Sequence, residues 1–364
     1  MNNRNSVPIC SEKAVPLVEK SVTSQHFENI PAEDWQNWRW QIENRIHTLP
    51  QLTGIFDIPL PEKEKYKDVI ATYRFSVTPY YLSLIDTSDE KDPLRLQCLP
   101  DPRELDYLPG SSDDPLEEER DMAVPGLIHR YPDRCLAMVT NTCAAYCRHC
   151  NRKHRWQEQE KKHSRKNFQG MIDYVARTEQ VREVILSGGD PLMLNMETLD
   201  WLLRSLKSIP HVEVIRIGSR IPVVLPMRID QDLCDILAEY RPLWFLTQFN
   251  HPREVTAEAA RACDMLLRAG IPVMNQSVLL KGVNDSYEVM RDLLYGLQRI
   301  SVKPYYLFQC EPVRGVDHFR VDMWKGMELM EQLWRNISGL CLPRYVYDLP
   351  GGRGKMPLQP FSFL

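Results

Sequence analysis

Three of the ten cysteines stand in one short stretch, Cys143-Ala144-Ala145-Tyr146-Cys147-Arg148-His149-Cys150. Full protein ligation of a cubane iron–sulfur cluster takes four cysteines. Three thiolates at this spacing would leave one iron open, where it could bind and activate a small molecule. The alternative is a zinc site completed by His149 and His154, although zinc usually takes four ligands in paired sets. The spacing therefore indicates a metal-based reaction centre on one loop.

The composition is that of an ordinary globular protein. Of the 364 residues, 43% are hydrophobic, and the formal net charge is −4. Neither value predicts a nucleic acid or a membrane surface as a partner. Residues 1–10 lack a signal-peptide core, and no run of about 18 apolar residues predicts a membrane span. The other cysteines are scattered, which favours reduced thiols. We therefore expect a cytoplasmic protein.

The chain divides into four segments. Residues 1–26 are predicted to be a flexible terminus. Residues 27–124 form a helical and irregular region, with one amphipathic helix over Pro31–His47. Residues 125–318 carry a repeated strand–helix pattern, and residues 319–364 a C-terminal helix followed by a glycine-rich segment.

Residues 125–318 alternate between short apolar runs typical of strands and longer amphipathic runs typical of helices. The predicted strands are Leu136–Thr140, Glu183–Leu186, Glu213–Ile217, Leu243–Gln248, Val273–Leu279 and Pro304–Phe308. The predicted helices are Asn167–Arg177, Met196–Ser208, Gln231–Tyr240, Thr256–Ala269 and Tyr287–Arg299. The pattern predicts an α/β fold in which six units form a parallel sheet, curled into an incomplete barrel. Functional side chains should then lie at the carboxyl ends of the strands.

A glycine pair follows the second predicted strand, in Leu186-Ser187-Gly188-Gly189-Asp190-Pro191. Paired glycines let a ligand approach the backbone closely, and the Asp190 carboxylate could accept hydrogen bonds from an ammonium group. Many such segments are only turns. This one is a candidate binding site because of its place beside the cysteine stretch.

Two further clusters could bind a phosphorylated cofactor. Arg130 and Arg134 flank Tyr131 before the first strand and could hold a phosphate, although surface ion pairs are the simpler interpretation. Lys355 follows the glycine-rich run Pro350–Gly354. It could reach inward and form a Schiff base, the linkage that tethers pyridoxal phosphate (PLP). A flexible exposed tail is the alternative.

Taken in order along the chain, these motifs resemble the lysine 2,3-aminomutase family of radical S-adenosylmethionine (SAM) enzymes. The resemblance extends from about residue 27 to residue 360 and includes the helix at Asp34–Gln41. The other segments that carry it are His129–Arg134, Cys143–Arg152, Leu186–Pro191, Asn275–Leu280 and Asp348–Lys355.

The resemblance implies three cofactors: a [4Fe–4S] cluster, SAM and PLP. The cluster ligands would be Cys143, Cys147 and Cys150. The SAM-binding residues would be Gly188, Gly189, Asp190 and Gln276. Lys355 would hold PLP, with Arg130 and Arg134 on its phosphate.

The resemblance also implies a substrate and a reaction. Arg152 would bind the substrate carboxylate, and Glu311 and Asp348 would hold the distal ammonium of lysine. The enzyme would be an isomerase, an aminomutase that moves the α-amino group to the β-carbon by radical chemistry. A flavodoxin or ferredoxin would supply the electron.

Glu311 departs from the pattern of the lysine-specific members, which carry an aspartate at this position. The charge is kept and the carboxylate reaches further. Two buried carboxylates without a cation would be costly, so a cationic amino acid is expected. Lysine is the first choice, and arginine and ornithine remain alternatives. A glutamate-specific member would be expected to carry neutral or basic groups here.

Two other departures concern the tail and the subunit contacts. Arg353 replaces a glycine of the family and adds a cation near the expected PLP site. The chain ends at Leu364 without the cysteine-bearing extension of the clostridial-type members, and Ser286 stands where a partner cysteine would be. We therefore expect no structural zinc, so that any homo-oligomer would be held differently.

Two interpretations from other classes remain open on the sequence. One is a radical SAM enzyme of this family whose chemistry is not that of an aminomutase. The other is a metal-binding or partner-binding scaffold without catalysis. The PLP lysine and the two arginines argue against the first, and the combination of cysteines, Arg152 and Lys355 argues against the second.

Overall fold

The computed structural model describes residues 27–157 and 164–358, so the terminus predicted for residues 1–26 lies outside the described residues, as do residues 359–364. The helices α1 to α13 are Ala32–Gln36, Trp38–Glu43, Leu49–Thr53, Leu60–Thr72, Pro79–Leu82, Pro93–Cys98, Arg165–Arg177, Met196–Lys207, Ile221–Val224, Gln231–Glu239, Ala257–Arg268, Tyr287–Arg299 and Met323–Asn336. The strands β1 to β10 are Met122–Val124, Leu127–Tyr131, Arg134–Thr140, Glu183–Gly188, Val214–Gly218, Leu243–Thr247, Val273–Leu279, Lys303–Gln309, Arg344–Leu349 and Gly354–Pro357. None of the helices in this part of the chain has the length and apolar character needed to cross a membrane.

In the described part of the chain, ten strands form one open sheet, and each strand neighbours the next along the sequence. The strands from β3 to β9 run parallel. The outer pairs β1–β2, β2–β3 and β9–β10 are antiparallel. The six strands predicted from the sequence are β3 to β8, and the five predicted helices are α7, α8, α10, α11 and α12. The predicted α/β fold with a parallel sheet is therefore confirmed.

The glycine-rich segment near the C-terminus forms a hairpin. Gly351 and Gly352 have φ angles of +78° and +65°, which glycine adopts without steric cost. They join β9 to β10, and the pairing sets Lys355 opposite Asp348. The alternative of a flexible exposed tail is thus wrong, because the hairpin turn lets β10 pair with its neighbour as an edge strand.

The N-terminal helix predicted over Pro31–His47 is wrong as one element, since the structure divides it into α1 and α2. Asn37 stands between them in an extended conformation, with φ −86° and ψ 109°. Its side chain accepts a hydrogen bond from Arg39 N at 3.0 Å. An asparagine that bonds nearby backbone competes with the helix, so it ends one helix and caps the next.

The helices beside the sheet each bury one apolar face. In α8 the buried residues are Leu199, Leu202, Leu203 and Leu206. Their spacing of three and four residues puts all four on one side of the helix, which packs into the core. Asn195 caps its first turn. This spacing is the pattern from which the helix was predicted.

The start of the cysteine stretch packs closely against the turn that follows β4. Gly189 N donates to Thr140 O at 2.6 Å, and Asp190 N donates to Thr142 O at 2.9 Å. A Cβ on Gly189 would lie 2.7 Å from Thr142 N and still closer to Thr142 O. Gly188 has a φ of +112°. The glycine pair is thus required for contact between two protein segments, in addition to any ligand.

We expect Gly189→Ala to lower the free energy of unfolding by about 1–3 kcal/mol, because the new methyl group overlaps rigid backbone. The matched control is Gly170→Ala within α7, where a Cβ would meet nothing within 4 Å. Replacing a glycine in the interior of a helix by alanine should raise the free energy of unfolding by up to about 1 kcal/mol. Chemical denaturation of both variants measures the difference, and equal stabilities would contradict the packing role of Gly189.

Candidate active site

A cavity of about 610 Å³ is lined by side chains from every strand between β2 and β10 and from the cysteine stretch. It contains all the site residues proposed from the sequence, which are Arg130, Arg134, Cys143, Cys147, Cys150, Arg152, Gly188, Gly189, Asp190, Gln276, Glu311, Asp348 and Lys355. The fold thus brings together residues that are spread over more than 220 positions of the chain.

The cysteine stretch is held against the N-terminal region of the chain. Three hydrogen bonds to its backbone join Arg45 Nη1 to Cys143 O (2.8 Å), Tyr146 N to Ser76 O (3.0 Å) and Arg148 N to Gln97 O (2.8 Å). Because each bond uses a backbone atom of the loop, residues of the N-terminal region fix its path directly. The region before the parallel sheet is therefore part of the site.

A fully buried ionic cluster lies beneath the same loop. Glu104 Oε1 accepts from Arg148 Nε at 2.8 Å, and Glu104 Oε2 lies 2.6 Å from Lys153 Nζ. All three side chains are completely excluded from solvent. Burial lowers the pKa of Lys153 to about 8, while Glu104 opposes that shift. Lys153 Nζ also donates to Gly315 O at 2.6 Å, which ties the loop to the segment after β8.

The cysteines do not form a site for a single ion. Cys143, Cys147 and Cys150 are free thiols that all line the cavity. Among the described residues, no group of three His, Cys, Asp or Glu side chains is arranged to hold one metal ion. In a cubane cluster each cysteine binds a different iron, so its ligands need not converge on one point.

The Asp190 carboxylate is engaged by the protein itself. Its Oδ1 accepts from Ser219 Oγ at 2.8 Å and from Leu192 N at 3.1 Å, and its Oδ2 accepts from Arg220 N at 2.9 Å. Burial raises the pKa of Asp190 to about 6, against the effect of the Ser219 hydrogen bond. Asp190 thus fixes the turn after β4 to the end of β5, while Gln276 lines the cavity from β7.

Arg152 forms a two-pronged ion pair with Glu118. Arg152 Nε donates to Glu118 Oε2 at 2.7 Å, and Nη2 donates to Glu118 Oε1 at 2.6 Å. Burial alone would raise the pKa of Glu118, but Arg152, followed by Arg155 and Arg130, holds it below its ordinary value. The fork fixes the plane of the Arg152 guanidinium and leaves its Nη1 outside the pair.

Two carboxylates and one lysine meet at the ends of β8, β9 and β10. Lys355 Nζ donates to Asp348 Oδ2 at 2.8 Å. Burial, together with the charge of Asp348, raises the pKa of Glu311 to about 8. Glu311 Oε2 and Asp348 Oδ1 are buried, and neither has a hydrogen-bond partner among the described residues. Since unpaired buried carboxylate oxygens are costly, this acidic pair can accept a cation.

Arg130 and Arg134 lie on β2 and at the start of β3, away from the carboxyl ends of the parallel strands. Arg130 Nε donates to Asp121 Oδ2 at 2.6 Å, and Arg134 Nη1 donates to Asp133 Oδ1 at 2.7 Å. The Arg134 guanidinium carbon is 3.8 Å from the centre of the Tyr131 ring. Each guanidinium has five N–H donors, so these contacts orient it and leave capacity to bind an anion.

The two departures in the tail and in α12 have local structural roles. Arg353 is exposed, and its Nε donates to Pro350 O at 3.3 Å within the hairpin turn. It is absent from the described lining of the cavity. Ser286 caps α12 and accepts from Val289 N at 3.4 Å. Neither side chain reaches the acidic pair.

Sequence analysis missed three charged residues of the cavity, which are Glu118, Arg216 and Arg220. Glu118 lies in an acidic, irregular segment with no recognisable motif. Arg220 follows β5 directly and donates from Nη1 to Cys147 Sγ at 2.9 Å. Its position just beyond the carboxyl end of a parallel strand is a signal that could have singled it out.

The chain is similar to several known proteins. Residues 138–294 match the Radical SAM superfamily. The chain is 46% identical to L-lysine 2,3-aminomutase of Clostridium subterminale over 92% of its own length and 80% of that protein. It is 43% identical to glutamate 2,3-aminomutase of Clostridioides difficile, over 91% of this chain and 78% of that one. A solved radical SAM methyltransferase from Sphaerobacter thermophilus is similar with a TM-score of 0.45 and 19% identity, over 60% of this chain and 68% of that chain.

The identity and coverage settle the class of enzyme. Radical SAM enzymes use a [4Fe–4S] cluster and SAM, and the aminomutases of this group also use PLP. The chain is a radical SAM 2,3-aminomutase, an isomerase that moves an amino group. The similarity favours this activity over a non-catalytic scaffold and over a family member without aminomutase chemistry. On its identity to these relatives over most of both chains, the chain belongs to the lysine 2,3-aminomutase family.

Proposed function

We propose that the substrate is a cationic L-amino acid, with lysine as the first choice, whose α-amino group moves to the β-carbon. The observation that carries the proposal is the acidic pair, in which Glu311 and Asp348 each keep a buried oxygen without a partner among the described residues. A cationic side chain would supply the missing charge, whereas the side chain of glutamate would add a third negative one. Arginine and ornithine remain alternatives, because Glu311 reaches further than an aspartate and a guanidinium can bind carboxylates through two donors.

The residues of the cavity fit the three cofactors of the family. The cluster ligands would be Cys143, Cys147 and Cys150. The SAM site would be lined by Gly188, Gly189, Asp190 and Gln276, with Asp190 acting mainly through the turn that it fixes. PLP would be tethered by Lys355, with Arg130 and Arg134 on its phosphate. When bound, these groups supply radical chemistry and a carrier for the migrating amino group.

The protein's own contribution would be to position the substrate at both ends. Arg152 would bind the substrate carboxylate through Nη1, while Glu118 keeps its plane fixed. Lys355 is the internal cation of Asp348. Once it engages PLP, it would release Asp348 to the distal ammonium of the substrate. These side chains would mainly position the substrate and exclude water, and acid–base catalysis would be a smaller part of their role.

We also propose the finer features of the architecture. The sheet would form an incomplete barrel of six strand–helix units. This is supported by the approach of its two ends, where Lys355 Nζ in β10 lies 5.8 Å from the ring of Tyr131 in β2. Residues 27–124, 125–318 and 319–364 would be the N-terminal cover, the barrel and the PLP-lysine segment.

The cellular setting belongs to the same proposal. Nine free cysteines in the described residues suit a reducing compartment, and we propose the cytoplasm. A flavodoxin or ferredoxin would deliver the electron. Any homo-oligomer would form without the zinc site of the clostridial-type members, since Ser286 is used as a helix cap.

We expect Glu311→Gln to weaken L-lysine binding and to remove the part of its pH dependence that comes from Glu311. The pKa of Glu311 is about 8 in the free site, and a cation binds only the ionised carboxylate. The ratio of wild-type affinity to Glu311→Gln affinity should therefore rise about tenfold per pH unit below pH 8 and level off above it, because the amino groups of the substrate titrate equally with both proteins. Calorimetry on the SAM-free holoenzyme measures this. Glu311→Asp keeps the charge and should keep the rise; equal profiles for wild type and Glu311→Gln would contradict the acidic pair.

Lys355→Met should abolish the absorbance of lysine-bound PLP, because the methionine side chain cannot form the linkage. The far-UV circular dichroism should stay unchanged, since Lys355 is on an edge strand and its side chain is partly exposed. Arg353→Met, in the same hairpin but exposed, is the matched control and should keep the band. If Lys355→Met still bound PLP with the wild-type spectrum, another residue would be the tether.

The substrate itself is tested by offering lysine, arginine, ornithine and glutamate separately to the anoxically reconstituted enzyme. We expect a β-amino product from at least one cationic amino acid, with lysine preferred, and none from glutamate. Mass spectrometry of the products decides this. A preference for arginine or ornithine that returns to lysine in Glu311→Asp would make Glu311 the specificity determinant, and turnover of glutamate alone would overturn the proposal.

A further inference from the structure

Arg220 is a buried arginine that the proposed function leaves unused. It follows β5, lines the cavity and is only 7% exposed. Its backbone N–H donates to Asp190, so the residue is fixed to the turn after β4. A charged side chain is rarely buried without a specific set of partners, and the identity of those partners indicates what the residue does.

One terminal nitrogen of Arg220 is directed at a cysteine. Arg220 Nη1 donates to Cys147 Sγ at 2.9 Å. The other terminal nitrogen is anchored away from the sulfur, since Nη2 donates to Gln97 Oε1 and to Glu254 Oε1, each at 2.7 Å. Nε donates to Gln248 O at 3.2 Å. The guanidinium is therefore held at three nitrogens and cannot turn away from Cys147.

The anchor is itself rigid. Glu254 is fully buried, and its Oε2 accepts from the backbone N–H groups of Asn250 and His251. Its Oε1 also accepts from Tyr81 Oη at 2.6 Å. The carboxylate thus has no freedom to follow the guanidinium toward the sulfur. Hydrogen bonds from a residue behind the contacting group, here from Glu254 behind Arg220, keep that group in one orientation.

We propose that Arg220 is a positioning residue for the iron–sulfur cluster, which holds Cys147 in its ligating orientation and stabilises the reduced state of the cluster. The proposal rests on the cluster-binding role of Cys147. Reduction adds one electron to the cluster, and no bond forms or breaks in that step. Because the added negative charge spreads onto the sulfurs, a cationic donor on one of them favours the reduced state. The negative charge of Glu254 opposes this less, since it faces the other end of the guanidinium.

The test is the midpoint potential of the reconstituted, SAM-free enzyme in an anoxic titration followed by electron paramagnetic resonance. In Arg220→Gln the potential should become more negative, so that the ratio of reduced to oxidised cluster at a fixed potential falls about tenfold, or about 59 mV for one electron. Arg220→Lys keeps the cation and loses the fork, and its potential should lie between those of Arg220→Gln and wild type. If Arg220→Gln does not fold, the midpoint potential of Arg220→Lys alone tests the proposal.

The matched control is Arg216→Gln, in the same cavity. Arg216 is paired with Glu183 at 2.6 Å from Nη2 to Oε2, and its loss should leave the midpoint potential at the wild-type value. Wild-type potentials in both Arg220 variants, or an equal shift in Arg216→Gln, would overturn the inference. Iron analysis separates this from the broader proposal. A wild-type protein that takes up no cluster would refute the role of Cys147, whereas loaded variants with unchanged potentials would refute only that of Arg220.

Discussion

One buried carboxylate, that of Glu104, holds the loop on which the chemistry depends. Its two oxygens bind Arg148 and Lys153, which lie on either side of Cys150, and none of the three side chains reaches solvent. Losing one member of such a set leaves an uncompensated buried charge, which costs about 3–5 kcal/mol. Glu104 belongs to the N-terminal region, so the geometry of the cysteines is set from outside the parallel sheet.

The charges of the cavity fall into two groups. Arg152 with Glu118 and Arg220 with Glu254 are complete pairs in which each carboxylate is matched by a guanidinium. The acidic pair is incomplete, because Lys355 pairs with Asp348 and, among the described residues, an oxygen of each carboxylate is left without a partner. The complete pairs keep the cavity wall rigid, whereas the incomplete pair would be stabilised by a cationic ligand. The distinction separates the residues that build the cavity from those that we propose select its substrate.

Much of the fold could be predicted because the parallel strands are apolar runs whose period is visible locally. The sequence did not predict β9 and β10. β9 mixes polar and apolar residues and β10 is an edge strand after a glycine-rich turn, so both depend more on pairing with a neighbour than on their own composition. Asn37 shows the same limit within the N-terminal helix, where a hydrogen bond to nearby backbone outweighs an amphipathic pattern.

The site residues that carry a motif could be named from the sequence, whereas those defined only by a partner could not. Glu118 lies 34 positions from Arg152, and Arg220 lies 73 positions from Cys147. No local pattern records such a pairing. The role of the glycine pair was understood only in part for the same reason, because the backbone that a Cβ would strike belongs to the preceding strand and loop.

The bond between Arg45 and the carbonyl of Cys143 spans 98 positions of the chain. Bringing two positions this far apart into contact costs conformational entropy before the contact can stabilise the fold. Contacts between distant positions therefore slow folding. The loop that carries the cysteines therefore takes its final shape only after the N-terminal helices have docked. During synthesis, the three thiols leave the ribosome well before the last strands of the sheet exist. A cluster that needs this loop geometry would therefore be inserted after the N-terminal region has packed against the loop.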